Sequence, residues 1–216
     1  MNPACLLICN DIADQAQTQF DHWYQTEHLA ERLAVPGFSN ARRYAAVKAS
    51  HGWAALYELD NTEVLHSLAY LERLAQPSEL TRAVMPHFRR MVRSGLEQQA
   101  VVGQGCGGVL DILVMSSQVA AAAVADALIH SWSLHPMFQR LRLLHQPDHG
   151  AVSVNATAEA QLRGATDQAW TAVWLLEWAT NTGDELPDTQ AQALAHGLPL
   201  LAAQGGRYRL LKEMKS

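Results

Sequence analysis

A glycine-rich run near the middle of the chain most constrains its fold. The run Gly103-Gln104-Gly105-Cys106-Gly107-Gly108 has four glycines in six positions, a composition typical of a linker. The same order of predicted elements, strand, helix, two strands, helix and strand, occurs on both sides of it. We therefore predict two units, residues 1–102 and 109–216, joined by a linker at 103–108, and we interpret them as copies of one unit.

The first unit combines two hydrophobic periods. Alternation typical of strands surrounds a segment with helical spacing, which must end near Pro36-Gly37 because proline disfavours helix in the residue before it. His51-Gly52 is expected to close a hairpin. The predicted elements are strand Cys5 to Cys9, helix Ala13 to Ala34, strands Phe38 to Val47 and Trp53 to Asp60, a helix from Thr62, helix Glu79 to Arg90 and strand Arg93 to Val102.

The second unit shows the same pattern more weakly, and residues 146–167 have no clear periodicity. The best internal match pairs Trp53-Ala-Ala-Leu-Tyr with Trp170-Thr-Ala-Val-Trp, an offset of 117 residues. The predicted elements are strand Val109 to Met115, helix Val119 to Trp132, strands Phe138 to His145 and Trp170 to Trp178, helix Thr189 to Ala203 and strand Arg207 to Met214.

Composition excludes several classes of protein. No run of 18 or more apolar residues occurs, which predicts no membrane span, and the N-terminal apolar run lacks the basic residues of a signal peptide. The formal charge of -5 is shared by both halves and favours neither nucleic acid nor an anionic membrane as partner. Three cysteines without a C-x-x-C spacing fit a reducing cytoplasm best.

The first unit resembles a known superfamily. Phe20-Asp-His-Trp-Tyr-Gln-Thr-Glu-His-Leu, Val35-Pro-Gly-Phe, Ala41-Arg-Arg-Tyr and Trp53-Ala-Ala-Leu-Tyr-Glu-Leu follow one another as in the dimeric α+β barrel proteins of the EthD-like branch. The resemblance covers roughly residues 4 to 100. In the second unit, Trp132-Ser-Leu-His135-Pro resembles a degenerate copy of Trp23 to His28.

This resemblance implies an α+β fold. Two tandem ferredoxin-like (βαββαβ) units would pack their antiparallel sheets into an intramolecular barrel whose interior can hold a small molecule. Relatives include cofactor-free monooxygenases, lactone isomerases, polyketide cyclases and haem enzymes, so the fold leaves the reaction open. Where relatives use a helical histidine for acid/base work, the matching position is His28.

The first helix carries the candidate catalytic residues His28, Tyr24 and Glu31. At 100° per residue, Tyr24 and His28 are an i,i+4 pair and His28 and Glu31 an i,i+3 pair, so the three are expected to touch. A histidine oriented by a carboxylate beside a phenol can transfer protons near neutral pH. The alternative is that Glu27, His28 and Glu31 form a polar network that fixes the turn at Pro36.

Further residues are predicted to contact a ligand. Strand alternation sends Arg43 and Arg42 to opposite faces, and an inward arginine needs Glu58 or a ligand carboxylate as its anion. The tryptophan-rich strand faces are predicted either to line a flat apolar pocket or to fill the space between two sheets. The candidate ligand contacts are Trp23, Glu27, Arg43, Tyr44, Trp53, Tyr57, Trp132, His135, Trp170 and Trp174.

No cofactor or metal is predicted. The ten histidines lack an H-E-x-x-H spacing, and haem ligation by His28 is an alternative that rests only on analogy with relatives. The cluster of Arg82, Arg89, Arg90 and Arg93 with His87 is interpreted as a solvated helix face.

The leading hypothesis is a cofactor-independent acid/base enzyme, an isomerase, cyclase, lyase or monooxygenase-like protein, acting on an apolar or aromatic carbonyl compound. The alternative is a non-catalytic protein of the same fold that binds a small ligand or serves in assembly. A homodimer remains open.

Overall fold

The computed structural model describes residues 2–116, 122–147, 157–164, 167–180, 182 and 185–216. The first half contains, in order, β1 Ala4–Ile12, a 3-10 turn Asp14–Ala16, α1 Gln17–Trp23, a π-helical turn Tyr24–His28, α2 Leu29–Leu33, β2 Phe38–Ala49, β3 Trp53–Leu59, a 3-10 turn Thr62–His66, α3 Leu68–Ala75, α4 Glu79–Val84, a 3-10 turn Met85–His87 and β4 Phe88–Gly103. The second half contains β5 Val109–Val114, α5 Ala122–Ser133, β6 Phe138–His145, α6 Ala158–Arg163, β7 Ala172–Trp178, α7 Thr189–Ala195 and β8 Gly206–Lys215.

The strands form one closed antiparallel barrel in the order β1-β3-β2-β8-β5-β7-β6-β4. Within it the first half contributes the order β4-β1-β3-β2 and the second half the equivalent order β8-β5-β7-β6. Each half is thus a ferredoxin-like sheet, and the pairs β2–β8 and β6–β4 join the two. The predicted intramolecular α+β barrel is confirmed.

Two predicted helices are too long. The helix expected to reach Arg90 ends at Val84, and β4 begins at Phe88, because Pro86 has no N–H to continue a helix. The helix expected to reach Ala203 ends at Ala195, since Gly197 adopts a positive φ of 77°.

Other predicted bounds differ at the edges of β7 and α5. Trp170 precedes β7, which starts at Ala172. Residues 119–121, the predicted start of the helix that follows β5, lie outside the described residues. Between β6 and β7, where no periodicity was found, the structure describes the short helix α6.

The two halves of the barrel match each other in a register different from the predicted one. Asn40 pairs with Glu58 across β2 and β3, and Arg140 pairs with Glu177 across β6 and β7, each directly after a bulge. Glu58 therefore corresponds to Glu177, an offset of 119 residues. The predicted offset of 117 is wrong, because the tryptophans on which it rested hold different positions.

Side chains fill the interior of the barrel. Inward-facing residues of both halves form one buried apolar cluster that includes Leu7, Leu56, Leu96, Ile112, Leu175 and Tyr208. The interior thus serves as core, and the expectation that it holds a small molecule is not supported by this packing.

Beside this cluster lies a buried ion network that joins the halves. Arg42 of β2 pairs with Glu58 and, at 2.5 Å, with Glu177. Arg142 of β6 reaches Glu58 at 2.7 Å, and Arg140 reaches Glu177 at 2.6 Å. Burial opposes the charge of both glutamates, but the surrounding arginines outweigh it and lower their pKa. Each carboxylate therefore stays ionised and bridges the two units.

Among the described residues, no helix has both the length and the apolar composition needed to cross a membrane.

Candidate functional site

The first helix contains a π-helical turn at the predicted reactive segment. Its backbone is α-helical over Gln17–Trp23, widens to a π turn over Tyr24–His28 and returns to α-helix over Leu29–Leu33. A π turn inserts one residue into the helix, so side chains after it rotate away from the positions that a regular helix predicts. Tyr24 and His28 are both buried by this arrangement, at 3% and 6% exposure.

A pocket lies between this helix and the outer face of the first-half sheet. It has a volume of about 40 Å³, room for a few water-sized molecules. Its walls are Leu6 and Ile8 of β1, Tyr57 of β3, Phe88, Met91 and Arg93 of β4, Trp23, Tyr24, His28 and Arg32 of the first helix, and Tyr70, Leu74, Met85, Thr157, Glu159 and Arg163. The last three residues belong to α6 and its N-cap, so the second half closes a pocket of the first half.

His28 is a neutral base within this pocket. Its imidazole lies against the indole of Trp23, with ring centroids 3.9 Å apart, and its Nδ1 is buried without a hydrogen-bond partner. Burial lowers the pKa of His28 well below its ordinary value, and the cations Arg32 and Arg43 lower it further. The ring is therefore unprotonated at neutral pH.

Two phenols lie beside His28. The ring of Tyr24 is 5.1 Å from the imidazole and that of Tyr57 is 6.3 Å from it, both edge to face. The Tyr57 hydroxyl lies near that of Tyr24 without a well-formed hydrogen bond between them. Burial raises the pKa of both phenols, so each remains a protonated donor at neutral pH.

Two buried arginines complete the polar lining, and sequence reasoning did not assign them to the site. Arg32 donates from Nη2 to both Glu159 oxygens at 2.6 Å, while its Nη1 is buried without a partner. Arg93 donates from Nη2 to the Tyr70 hydroxyl at 2.9 Å. The i,i+4 spacing from His28 could have identified Arg32. Arg93 begins a predicted strand and was also assigned to a solvated basic cluster; it does lie on a strand, β4, but is only 8% exposed.

The expected contact between His28 and Glu31 is absent. Glu31 pairs instead with Arg73 at 3.3 Å near the surface. Glu27 accepts hydrogen bonds from Ser78 and Thr81, which bind it to the start of α4. The prediction that a carboxylate orients His28 is wrong in its geometry, because Glu27 and Glu31 are held by these other partners.

Trp23 forms part of the pocket wall. It donates from Nε1 to Thr81 at 3.0 Å and is fully buried.

Arg43 and Arg42 point to opposite faces, as predicted, and both are buried. Arg43 lies under the first helix, 2.5 Å from Asp21, with its guanidinium 4.5 Å from the ring centroid of Tyr24 and 4.7 Å from that of Trp53. Tyr44 shares the inward face with Arg42. Trp53 and Tyr57 therefore face the helices, and only Tyr57 lines the pocket.

The candidate residues of the second half lie elsewhere. Trp132 donates from Nε1 to Gln192 at 2.7 Å and packs near Trp174, with ring centroids 6.5 Å apart, under α5. His135 lies in the turn before β6, against Trp178. Trp170 packs at the end of the barrel, 5.9 Å from the ring of His51. These four residues do not join the His28 pocket.

The described residues contain no cluster of three or more side chains able to hold a metal ion.

Comparison with known proteins shows the fold. No protein-family model matches the chain, and no curated protein matches it. Among solved structures, an anthrone oxidase-like protein aligns with 99% of this chain and 93% of its own, with a TM-score of 0.59 and 10% identity.

Two bacterial proteins provisionally named as monooxygenases also align. The protein from Fusobacterium nucleatum subsp. nucleatum ATCC 25586 has a TM-score of 0.55 and 8% identity, covering 100% of this chain and 95% of that one. The protein from Lactobacillus acidophilus NCFM has a TM-score of 0.51 and 8% identity, covering 100% and 97%. The structural alignments establish a common architecture. At identities this low, the reaction has to be inferred from the site itself.

Proposed function

We propose that the His28 pocket is the active site of an enzyme that removes a proton from a carbon that a carbonyl group acidifies, directly or through a conjugated ring, in an apolar or aromatic small molecule. The observation that carries the proposal is the convergence of His28 Nδ1, the Tyr57 hydroxyl and Arg32 Nη1, all buried and without partners, on one pocket. Leaving buried polar atoms unpaired is costly, and a ligand in this pocket would supply the missing partners.

Each group has a role suited to its state. Neutral His28 accepts the proton from carbon at Nδ1. Arg32 Nη1 and the Tyr57 hydroxyl are donors that bind the substrate oxygen more strongly as it becomes an enolate. Although neighbouring cations disfavour the imidazolium, the enolate forms beside it and offsets their charge.

The apolar wall fits the rest of such a substrate. Leu6, Ile8 and Phe88 line the sheet side, and Met85 and Met91 lie at the edge. Because the pocket holds only about 40 Å³, a ring-sized substrate requires these thioether side chains to change rotamer, which they do readily.

The same dimensions do not fit a haem. The pocket is far smaller than a macrocycle, and the Trp23 ring covers one face of the His28 imidazole at 3.9 Å. We therefore propose chemistry without a haem, in a protein of the reducing cytoplasm whose cysteines are free thiols.

The names of the structural neighbours suggest a first substrate. The acidic CH₂ of anthrone lies across the central ring from the carbonyl and is conjugated to it through the two fused rings, and once this carbon is deprotonated, reaction of anthrone with one O₂ gives anthraquinone and one water. We propose this kind of aromatic ketone as the substrate class. We also propose that the chain arose by duplication of one EthD-like unit, which the matching strand order supports.

The test is proton exchange in D₂O on a panel of aromatic ketones that starts with anthrone. The wild type should catalyse deuterium incorporation at the acidic carbon, and His28→Asn should reduce the rate by about 100-fold or more. His22→Asn, an exposed histidine on α1, serves as matched control and should leave the rate unchanged. Equal rates for His28→Asn and wild type, or no exchange with any ketone, would refute the proposal.

A ligand-binding protein without chemistry is the competing function, favoured by the small size of the pocket. It predicts saturable binding of these ketones, measured by calorimetry, with no deuterium incorporation.

A further inference from the structure

The pocket contains a buried cation that no carboxylate of the described residues compensates. Four charged side chains line it: Arg32, Arg93, Arg163 and Glu159. Arg32 pairs with Glu159 at 2.6 Å, and Arg163 pairs with Asp167 at 2.6 Å. Arg93 forms no ion pair with any described residue, and its partner is the neutral Tyr70 hydroxyl. One positive charge is therefore left over.

This cation is held in place. Tyr70 is 2% exposed, and its hydroxyl accepts the bond from Arg93. The guanidinium carbons of Arg93 and Arg32 lie 5.8 and 5.7 Å from the centroid of the same Tyr70 ring. Two guanidinium groups thus contact one aromatic ring, but only one of them, that of Arg32, is paired with a carboxylate, Glu159.

Such an arrangement is costly without a further anion. An arginine removed from water loses hydration that only an anion with matching geometry replaces fully, and two nearby cations repel each other. Arg32 keeps Nη1 free as well. The site therefore has charge available for one more carboxylate and a free donor for another ligand oxygen.

We propose that the pocket binds a small organic acid, and that Arg93 holds its carboxylate while Arg32 Nη1 serves the ketone oxygen. The inference rests on the proposed function and specifies its substrate class: an aromatic or apolar keto acid, with the carboxylate at Arg93 and the reactive carbon at His28. The aromatic and thioether wall holds the body of the acid, and Tyr70 fixes the direction of the arginine fork.

The experiment is calorimetric titration of the full chain with benzoate and with benzamide, its neutral isostere. Wild type should bind benzoate and show at least about tenfold weaker binding of benzamide. Arg93→Gln should weaken benzoate binding by about thirty-fold or more. Arg209→Gln, which removes an exposed arginine of β8, is the matched control and should bind benzoate like wild type.

Arg93→Lys keeps the charge but loses the fork, so it should bind benzoate with intermediate affinity. It decides the question if Arg93→Gln does not fold, because a fully retained affinity in Arg93→Lys would contradict recognition by the fork. Equal binding of benzoate and benzamide, or no binding of benzoate by wild type, overturns the inference.

His28→Asn separates this inference from the proposed function. It should still bind benzoate while it loses deuterium exchange. Benzoate binding without exchange would leave the carboxylate site standing and refute the chemistry, and the reverse result would refute the carboxylate site alone.

Discussion

The two halves share a backbone plan but differ in what lies between helix and sheet. Both helices end in the same turn, in which the N–H of Phe38 bonds to Val35 and the N–H of Phe138 bonds to His135. Counting back from these phenylalanines, Leu128 takes the place of His28, and Trp132 takes that of Arg32.

The sheet residues that face the helices differ between the halves as well. With the register fixed by Glu58 and Glu177, Trp174 takes the place of Ala55, and Leu176 takes that of Tyr57. Leu128, Trp132, Trp174 and Leu176 are all buried in one apolar cluster. The second half thus fills the space that the first half leaves to a polar pocket.

This difference shows how one chain combines a stable core with a site that contains unpaired polar atoms. Buried polar atoms without partners cost free energy, which the well-packed second half offsets through the shared barrel. It also supplies α6, whose Glu159 closes the pocket through Arg32. We therefore expect functional substitutions to act in the first half and the largest losses of stability to arise where the halves meet.

The largest effect is expected at the ion network that joins the halves. Glu177→Gln leaves Arg42 and its neighbours with Glu58 alone and should lower the free energy of unfolding by about 3–5 kcal/mol, measured by urea denaturation. Glu58→Gln should cost less, since its side chain is 21% exposed and that of Glu177 is 0%.

The matched control is Glu213→Gln, which removes a carboxylate that bonds to Asn40 near the surface. Its free energy of unfolding should change by less than about 1 kcal/mol. A Glu177 variant as stable as this control would show that the halves do not depend on the network.

A smaller effect is expected from exchanging the residues that distinguish the two helices. Leu128→His places an imidazole in an apolar cluster and should cost about 1–3 kcal/mol of unfolding free energy. His28→Leu removes an unpaired nitrogen and should leave stability unchanged or raise it by up to about 1 kcal/mol. If the two variants change the free energy of unfolding in opposite directions in the same denaturation assay, the contrast between the halves is supported. Losses of equal size would contradict it.

Much of the fold was predictable because strand alternation reports burial directly. The glycine run at 103–108, the break at Pro36-Gly37 and the alternation in Trp53 to Asp60 each act locally, so they place β2, β3 and β5 closely. Helix ends were less predictable where the helical spacing of apolar residues continues past the residue that ends the helix, as at Pro86.

The site was only partly predictable. Tyr24, His28 and Tyr57 were identified, but the contact with Glu31 was misplaced, because Arg73 of α3 pairs with this carboxylate and no local pattern on the first helix reports a partner on another helix. Glu159 could not be predicted, since it meets Arg32 across 127 residues of sequence and lies in a segment without periodicity. Long-range contacts of this kind leave no local pattern.

The smallest expected effect is the pH dependence of stability, which should arise in part from His28 in the first half. Burial, with help from Arg32, lowers the pKa of His28 in the folded chain, whereas the unfolded chain titrates near the ordinary 6.5. As pH falls below 6.5, the unfolded state takes up a proton that the folded state refuses. Stability should therefore decrease with acidification until the folded pKa is reached, by at most about 1.4 kcal/mol per pH unit.

Urea midpoints between pH 7 and pH 5 measure this slope. His51, whose pKa burial also lowers, adds to it in every variant, so the comparison with His28→Leu isolates the share of His28. That variant should have a shallower slope, and Leu128→His a steeper one, because it gives the second half a buried histidine of its own. Identical slopes in all three proteins would mean that His28 is protonated as readily when folded as when unfolded, and the distinction between a polar first half and an apolar second half would lose its electrostatic basis.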